Sequence, residues 1–134
     1  MDFTKYISTP KQTAETDPLV TTIKLTRGRL TGGFLYFPAG AAGTLHFLAR
    51  VGKHQIIPFN TGENVRLDDC LLNLSLGIDL LEPPYVIDLV TWNDSTEYAH
   101  VLTVGFSIHP KGRNKYDGMK VANEFAGTDG YRKP

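Results

Sequence analysis

Residues 85–108 read YVIDLVTWNDSTEYAHVLTVGFSI. Two stretches rich in β-branched and aromatic residues flank a polar cluster at 93–97. Such side chains suit a pleated, half-buried surface. Asn93, Asp94 and Ser95 can hydrogen-bond their own backbone and so favour a turn. The pattern predicts a long antiparallel hairpin, and a fold built on it is all-β. Strand side chains alternate between faces, so Leu102, Val104, Phe106 and Ile108 share one face of the second arm, predicted to be the core face.

Working outward, residues 19–25 alternate toward a strand, and Thr26, Arg27, Gly28 and Arg29 turn the chain. A second strand is predicted at 30–37, where Gly32 and Gly33 imply a bulge or a close backbone approach. Residues 38–43 form a loop. At 44–51 Leu45, Phe47, Ala49 and Val51 take one face, while Thr44, His46 and Arg50 take the other. Gly52 and Lys53 turn into a strand at 54–59. Residues 65–67 suggest a short strand and 70–76 a longer one. The connection 77–84 ends in Pro83 and Pro84, which exclude helix there. No segment before residue 110 keeps a 3.6-residue period. About eight strands at roughly 8–12-residue spacing predict two antiparallel sheets packed face to face, a β-sandwich of jelly-roll type. Residues 1–17 read as a polar N-terminal arm, 18–110 as the sandwich, and 111–134 as a Gly-rich, polar C-terminal arm.

The 134 residues suffice for one core. The formal net charge is zero, which gives no overall pull toward nucleic acid or an anionic membrane. The segment 111–134 holds six Lys/Arg against three Asp/Glu, whereas 18–110 holds six against eight. That basic excess is a thin footprint for nucleic acid. Cys70 is the single cysteine, so no intrachain disulfide can form, and its setting in CLLNLSL predicts a buried thiol. No apolar run approaches the ~20 residues that span a bilayer. The opening MDFTKYISTPKQTAETD carries no apolar signal-peptide core.

Sites of chemistry are hard to find. The histidines are His46, His54, His100 and His109. A cupin-type metal site needs two histidines one residue apart with a following Glu, and His46 is followed by Phe47 and Leu48. Asp68, Asp69, Asp94 and Glu97 lack the dense alternation of a calcium loop. No Gly-rich phosphate loop, dinucleotide fingerprint or nucleophile elbow occurs. These patterns predict no metal, no cofactor and no enzyme. Aromatic faces can stack on sugars, and Trp92 with Tyr98 is the candidate platform, Trp92 being expected partly exposed beside its turn. Phe3, Tyr6, Lys111, Arg113, Lys115, Tyr116, Tyr131 and Arg132 are the candidate assembly contacts, because aromatic and Arg side chains are enriched where proteins meet.

Phe37-Pro38-Ala39-Gly40, His54-Gln55-Ile56 with Pro58, Trp92-Asn93 and Tyr98-Ala99-His100 carry a resemblance. Across roughly 19–110 the chain resembles small β-proteins of tailed-phage and environmental viral genomes. The resemblance implies a virion structural protein, of the kind that decorates and cements capsids or forms part of fibres and tails. It therefore implies assembly in the host cytoplasm, a homo-oligomer, and the major capsid protein or another virion protein as partner. The alternative is a carbohydrate- or receptor-binding sandwich of a fibre or tail. A small cytosolic β-barrel enzyme is a third class, with no residue pattern in its favour.

Overall fold

A computed structural model describes residues 1–111 as eight β-strands and no helix. They are β1 (Asp2–Thr9), β2 (Leu19–Lys24), β3 (Gly28–Phe37), β4 (Leu45–Val51), β5 (His54–Ile57), β6 (Cys70–Leu80), β7 (Val86–Asn93) and β8 (His100–Pro110). One sheet has the order β1-β8-β3-β6 and the other β2-β7-β4-β5. Every pairing is antiparallel. The two sheets share one core, to which Ile7, Leu30, Leu35, Phe37, Leu102, Val104 and Phe106 come from the first sheet. Ile23, Leu45, Phe47, Ala49, Ile57, Ile87 and Leu89 come from the second. The architecture is thus a two-layer, sandwich-like one, and the alternation at Leu102, Val104, Phe106 and Ile108 points inward as expected.

The structure departs from the expected hairpin. β7 pairs with β2 and β4, and β8 pairs with β1 and β3. The polar cluster after β7 carries the chain from one sheet to the other. Its turn chemistry is real: the Ser95 amide donates to Asn93 Oδ1 at 3.0 Å, and the Tyr98 amide to Ser95 Oγ at 3.1 Å. Local chemistry makes the bend, but partners for a strand come from distant chain, and here both edges of each arm are already taken.

A second departure concerns residues 1–17. Residues 2–9 are not a free arm; β1 runs against β8 in register from Asp2 opposite Ser107 to Thr9 opposite His100. Ile7 is buried and Phe3 packs against the core. Three covered positions, Phe3, Ile7 and Thr9, spread over a polar stretch gave too weak an alternation to read. β6 also runs longer than expected, through Gly77 to Leu80. The segment at 65–67 contributes a single bridge, Val65 with Phe47.

The Gly32–Gly33 reading holds. The ladders of β3 with both neighbours shift between Leu30 and Gly32. A Cβ at Gly33 would strike the Gly105 carbonyl oxygen, and one at Gly32 would come within 2.7 Å of the Leu74 carbonyl oxygen. The bulge brings backbones together more closely than a side chain permits.

Candidate functional site

Two places concentrate polar or aromatic groups. The first lies on the outer face of the β2-β7-β4-β5 sheet. His46 on β4 stands opposite Trp92 on β7. Their rings stack with centroids 4.9 Å apart and planes 7° from parallel. His46 Nε2 donates to Asp94 Oδ2 at 2.7 Å, and Nδ1 lies 2.7 Å from Asn64 Oδ1. The histidine is 6% exposed. Both ring nitrogens are engaged and the Trp92 ring stacks on the imidazole. A histidine so held has no nitrogen left for a reacting group. The cluster ties the 58–67 loop and the end of β7 to β4. Elsewhere Asp68 accepts the amides of Gly40 at 3.0 Å and Ala42 at 2.8 Å and holds the 38–43 loop.

Trp92 is therefore not the partly exposed platform expected from its place beside a turn. It is 4% exposed, whereas Tyr98 is 65% exposed, and the two do not share an open surface. Phe3 is half-buried and packs against the core from the edge strand β1. Lys111 is exposed, with its Nζ 3.6 Å from Asp79 Oδ1. Arg113, Lys115, Tyr116, Tyr131 and Arg132 lie outside the described residues. Cys70 is half-buried rather than fully buried. Among the described residues no three His, Cys, Asp or Glu side chains gather as a cation site. No described helix is long and apolar enough to cross a membrane.

The second place is the outer face of the β1-β8-β3-β6 sheet, and Tyr6 belongs to it. Register aligns Tyr6, Thr103, Tyr36 and Leu71 in one row across the four strands. Tyr6 is 70%, Tyr36 40% and Leu71 57% exposed. Val101, also exposed, and Ser8 lie in the row on one side; Thr4, Gly105, Phe34 and Asn73 lie on the other. None of these residues carries a charge. Nearest charges on this face are Asp2 at one corner and the Arg29–Asp79 pair, 3.0 Å apart, at another. The Arg29 hydrogen bond, helped by Lys111, holds the Asp79 carboxyl below its ordinary range. Two-residue periodicity could have put Tyr36 outside, opposite in face to Leu35 and Phe37. Nothing local could have set it in line with Tyr6. An uncharged, aromatic-bearing, open sheet face is suited to contact with another macromolecule.

No family model, no curated protein and no solved structure matches this chain.

Proposed function

We propose that this chain is a non-enzymatic virion structural protein, a capsid decoration or cement protein that oligomerises on a phage head. The observation that carries the reading is the uncharged row Tyr6–Thr103–Tyr36–Leu71 on an otherwise ordinary sheet face. Exposed aromatic and apolar side chains gathered in one row are a common mark of a protein contact.

The strand pairing supports the fold part of the proposal. β1 pairs with β8, β2 with β7, β3 with β6 and β4 with β5. These four pairs describe one antiparallel ribbon bent over at the β4–β5 turn. Rolled up and joined through β3 with β8 and β4 with β7, such a ribbon supports the jelly-roll reading, an architecture used by capsid and lectin domains. Use of a fold is a warrant by analogy only, so the face has to be tested. The partners proposed are further copies of the chain and the major capsid protein.

The same face favours a second reading. Tyr6 and Tyr36 lie two strands apart, roughly 10 Å at the usual interstrand spacing, and their exposed rings could stack on a glycan of a receptor. One set of variants separates the readings. Tyr6→Lys with Tyr36→Lys should abolish self-association or capsid binding in sizing and co-sedimentation runs while leaving the melt unchanged. Loss of binding on a glycan array, with sizing and capsid binding untouched, would instead select the receptor reading.

A further inference from the structure

A sheet edge offers a row of unpaired backbone N–H and C=O groups, and proteins blunt such edges with charge, proline or brevity. The two sheets have four edges, β1, β6, β2 and β5. β1 bears Asp2 and Lys5; β2 spans six residues and ends in Lys24; β5 has four residues. Beside β5, the Gln55 side-chain amide also gathers the following loop, donating to the carbonyls of Pro58 and Glu63 at 2.8 and 2.9 Å.

β6 differs from all three. It is eleven residues long, CLLNLSLGIDL, with no Lys, Arg or Pro. Its one charge, Asp79, is already paired with Arg29. Among the described residues its ladder partner is β3 alone. Its inward Leu72, Leu74, Leu76 and Ile78 reach the core yet stay only partly buried, and its outward Leu71 is exposed. Among the described residues its backbone edge is therefore unpaired, its outward face exposed and its inward row only half covered.

We infer that β6 is a self-association edge: two copies pair their β6 strands antiparallel about a two-fold axis through Ser75, joining two four-stranded sheets into one of eight. The register follows from the strand itself. A two-fold centred on a residue pairs inward positions with inward ones and outward with outward. Centring on Ser75, the middle residue, overlaps all eleven residues and sets Leu72 opposite the second copy's Ile78. It likewise sets Leu74 opposite the second copy's Leu76, so the half-covered core row closes apolar on apolar. Asp79 then faces Leu71 of the second copy, so no like charges oppose each other. Roughly one main-chain hydrogen bond per overlapped residue forms, the usual source of affinity in strand addition. The inference deepens the self-association part of the proposed function and rests on it.

Charge introduced at the axis tests the register. Ser75 is exposed and stands opposite Gly32 within the sheet, so a longer side chain has room. Ser75→Lys and Ser75→Glu each place two like charges directly opposite across the axis, which is destabilising. By sedimentation velocity the full chain should run as a dimer, and each variant alone should dimerise at least tenfold more weakly. An equimolar mixture of the two should recover the dimer. Far-ultraviolet circular dichroism establishes that each variant is folded. Should either fail to fold, Asn73→Glu takes its place, lying opposite Gly77 and diagonal to Asp79 of the second copy, where like charge is expected to weaken the dimer. A monomeric full chain overturns the inference. So does a dimer indifferent to folded Ser75 or Asn73 variants; if that dimer is broken by Tyr6→Lys with Tyr36→Lys, the β6 edge is wrong while the proposed function stands.

Discussion

Thr9 on β1 donates its hydroxyl to the hydroxyl of Thr91 on β7 at 2.8 Å, a buried bond joining the two sheets across 82 residues of sequence. Close by, the Asn93 side-chain amide donates to the carbonyls of Thr9 at 3.2 Å and Tyr98 at 3.0 Å. Residues that read as a polar arm thus satisfy buried polar groups of the far sheet. Unpaired, such groups would cost about 1–3 kcal/mol each.

Deleting residues 1–17 should therefore unfold the domain or lower its melting temperature by tens of degrees. The deletion removes β1, bares the β8 ladder and uncovers Leu102 and Val104. Loss of a buried residue such as Ile7 alone costs roughly 2–5 kcal/mol, against a total stability of about 5–15 kcal/mol for a typical domain. A thermal melt of the shortened chain that matches the full chain would contradict the role given to β1.

The two faces of β8 and its neighbours should answer differently to truncation. Phe106 is 1% exposed, and Phe106→Ala should cost about 3–5 kcal/mol in chemical denaturation. Tyr6→Ala, on the open face, should stay within roughly 0.5 kcal/mol of the parent. Equal losses at both positions would mean that the inward and outward assignments are wrong.

The His46 cluster should behave as a structural clip. His46→Ala removes the stacking on Trp92, worth about 0.5–1.5 kcal/mol, and two hydrogen bonds worth roughly 1 kcal/mol each. A loss of about 2.5–3.5 kcal/mol is expected, with an altered Trp92 fluorescence spectrum. An unchanged spectrum would place the ring elsewhere.

Two glycines in one crowded region should differ in tolerance. A Cβ at Gly33 meets the Gly105 carbonyl, which belongs to the neighbouring backbone; a Cβ at Gly105 meets the Phe34 ring. Strands must separate in the first case, while a ring on the half-open face can swing in the second. Gly33→Ala should cost about 1–3 kcal/mol and more than Gly105→Ala. The reverse order in parallel melts would refute the bulge geometry.

Asp79 should titrate low. Its carboxyl is held below the ordinary 3.8 first by the Arg29 hydrogen bond and also by Lys111. A lowered folded-state value means stability present above the unfolded value and lost as pH falls through the folded one. That window lies below pH 3.8, and the exposed pair contributes little. Carboxyl NMR titration should show the Asp79 midpoint rising toward 3.8 in Arg29→Ala.

The sequence alone determined the class of fold and much of its interior. Two-residue alternation named Leu45, Phe47 and Ala49, and likewise Leu102, Val104, Phe106 and Ile108, as core positions, because a strand buries every second side chain whatever its partner. Paired glycines on β3 announced the bulge, since only a residue without Cβ tolerates such an approach. Tertiary structure alone decided which strands are neighbours. It sent 85–93 and 100–110 into different sheets, turned residues 2–9 into a strand, covered Trp92 with His46, and lined up Tyr6 with Tyr36. Each of these is a pairing between residues far apart in the chain, and its free energy comes from both partners and the water they exclude together. A local window of sequence holds only half of that interaction.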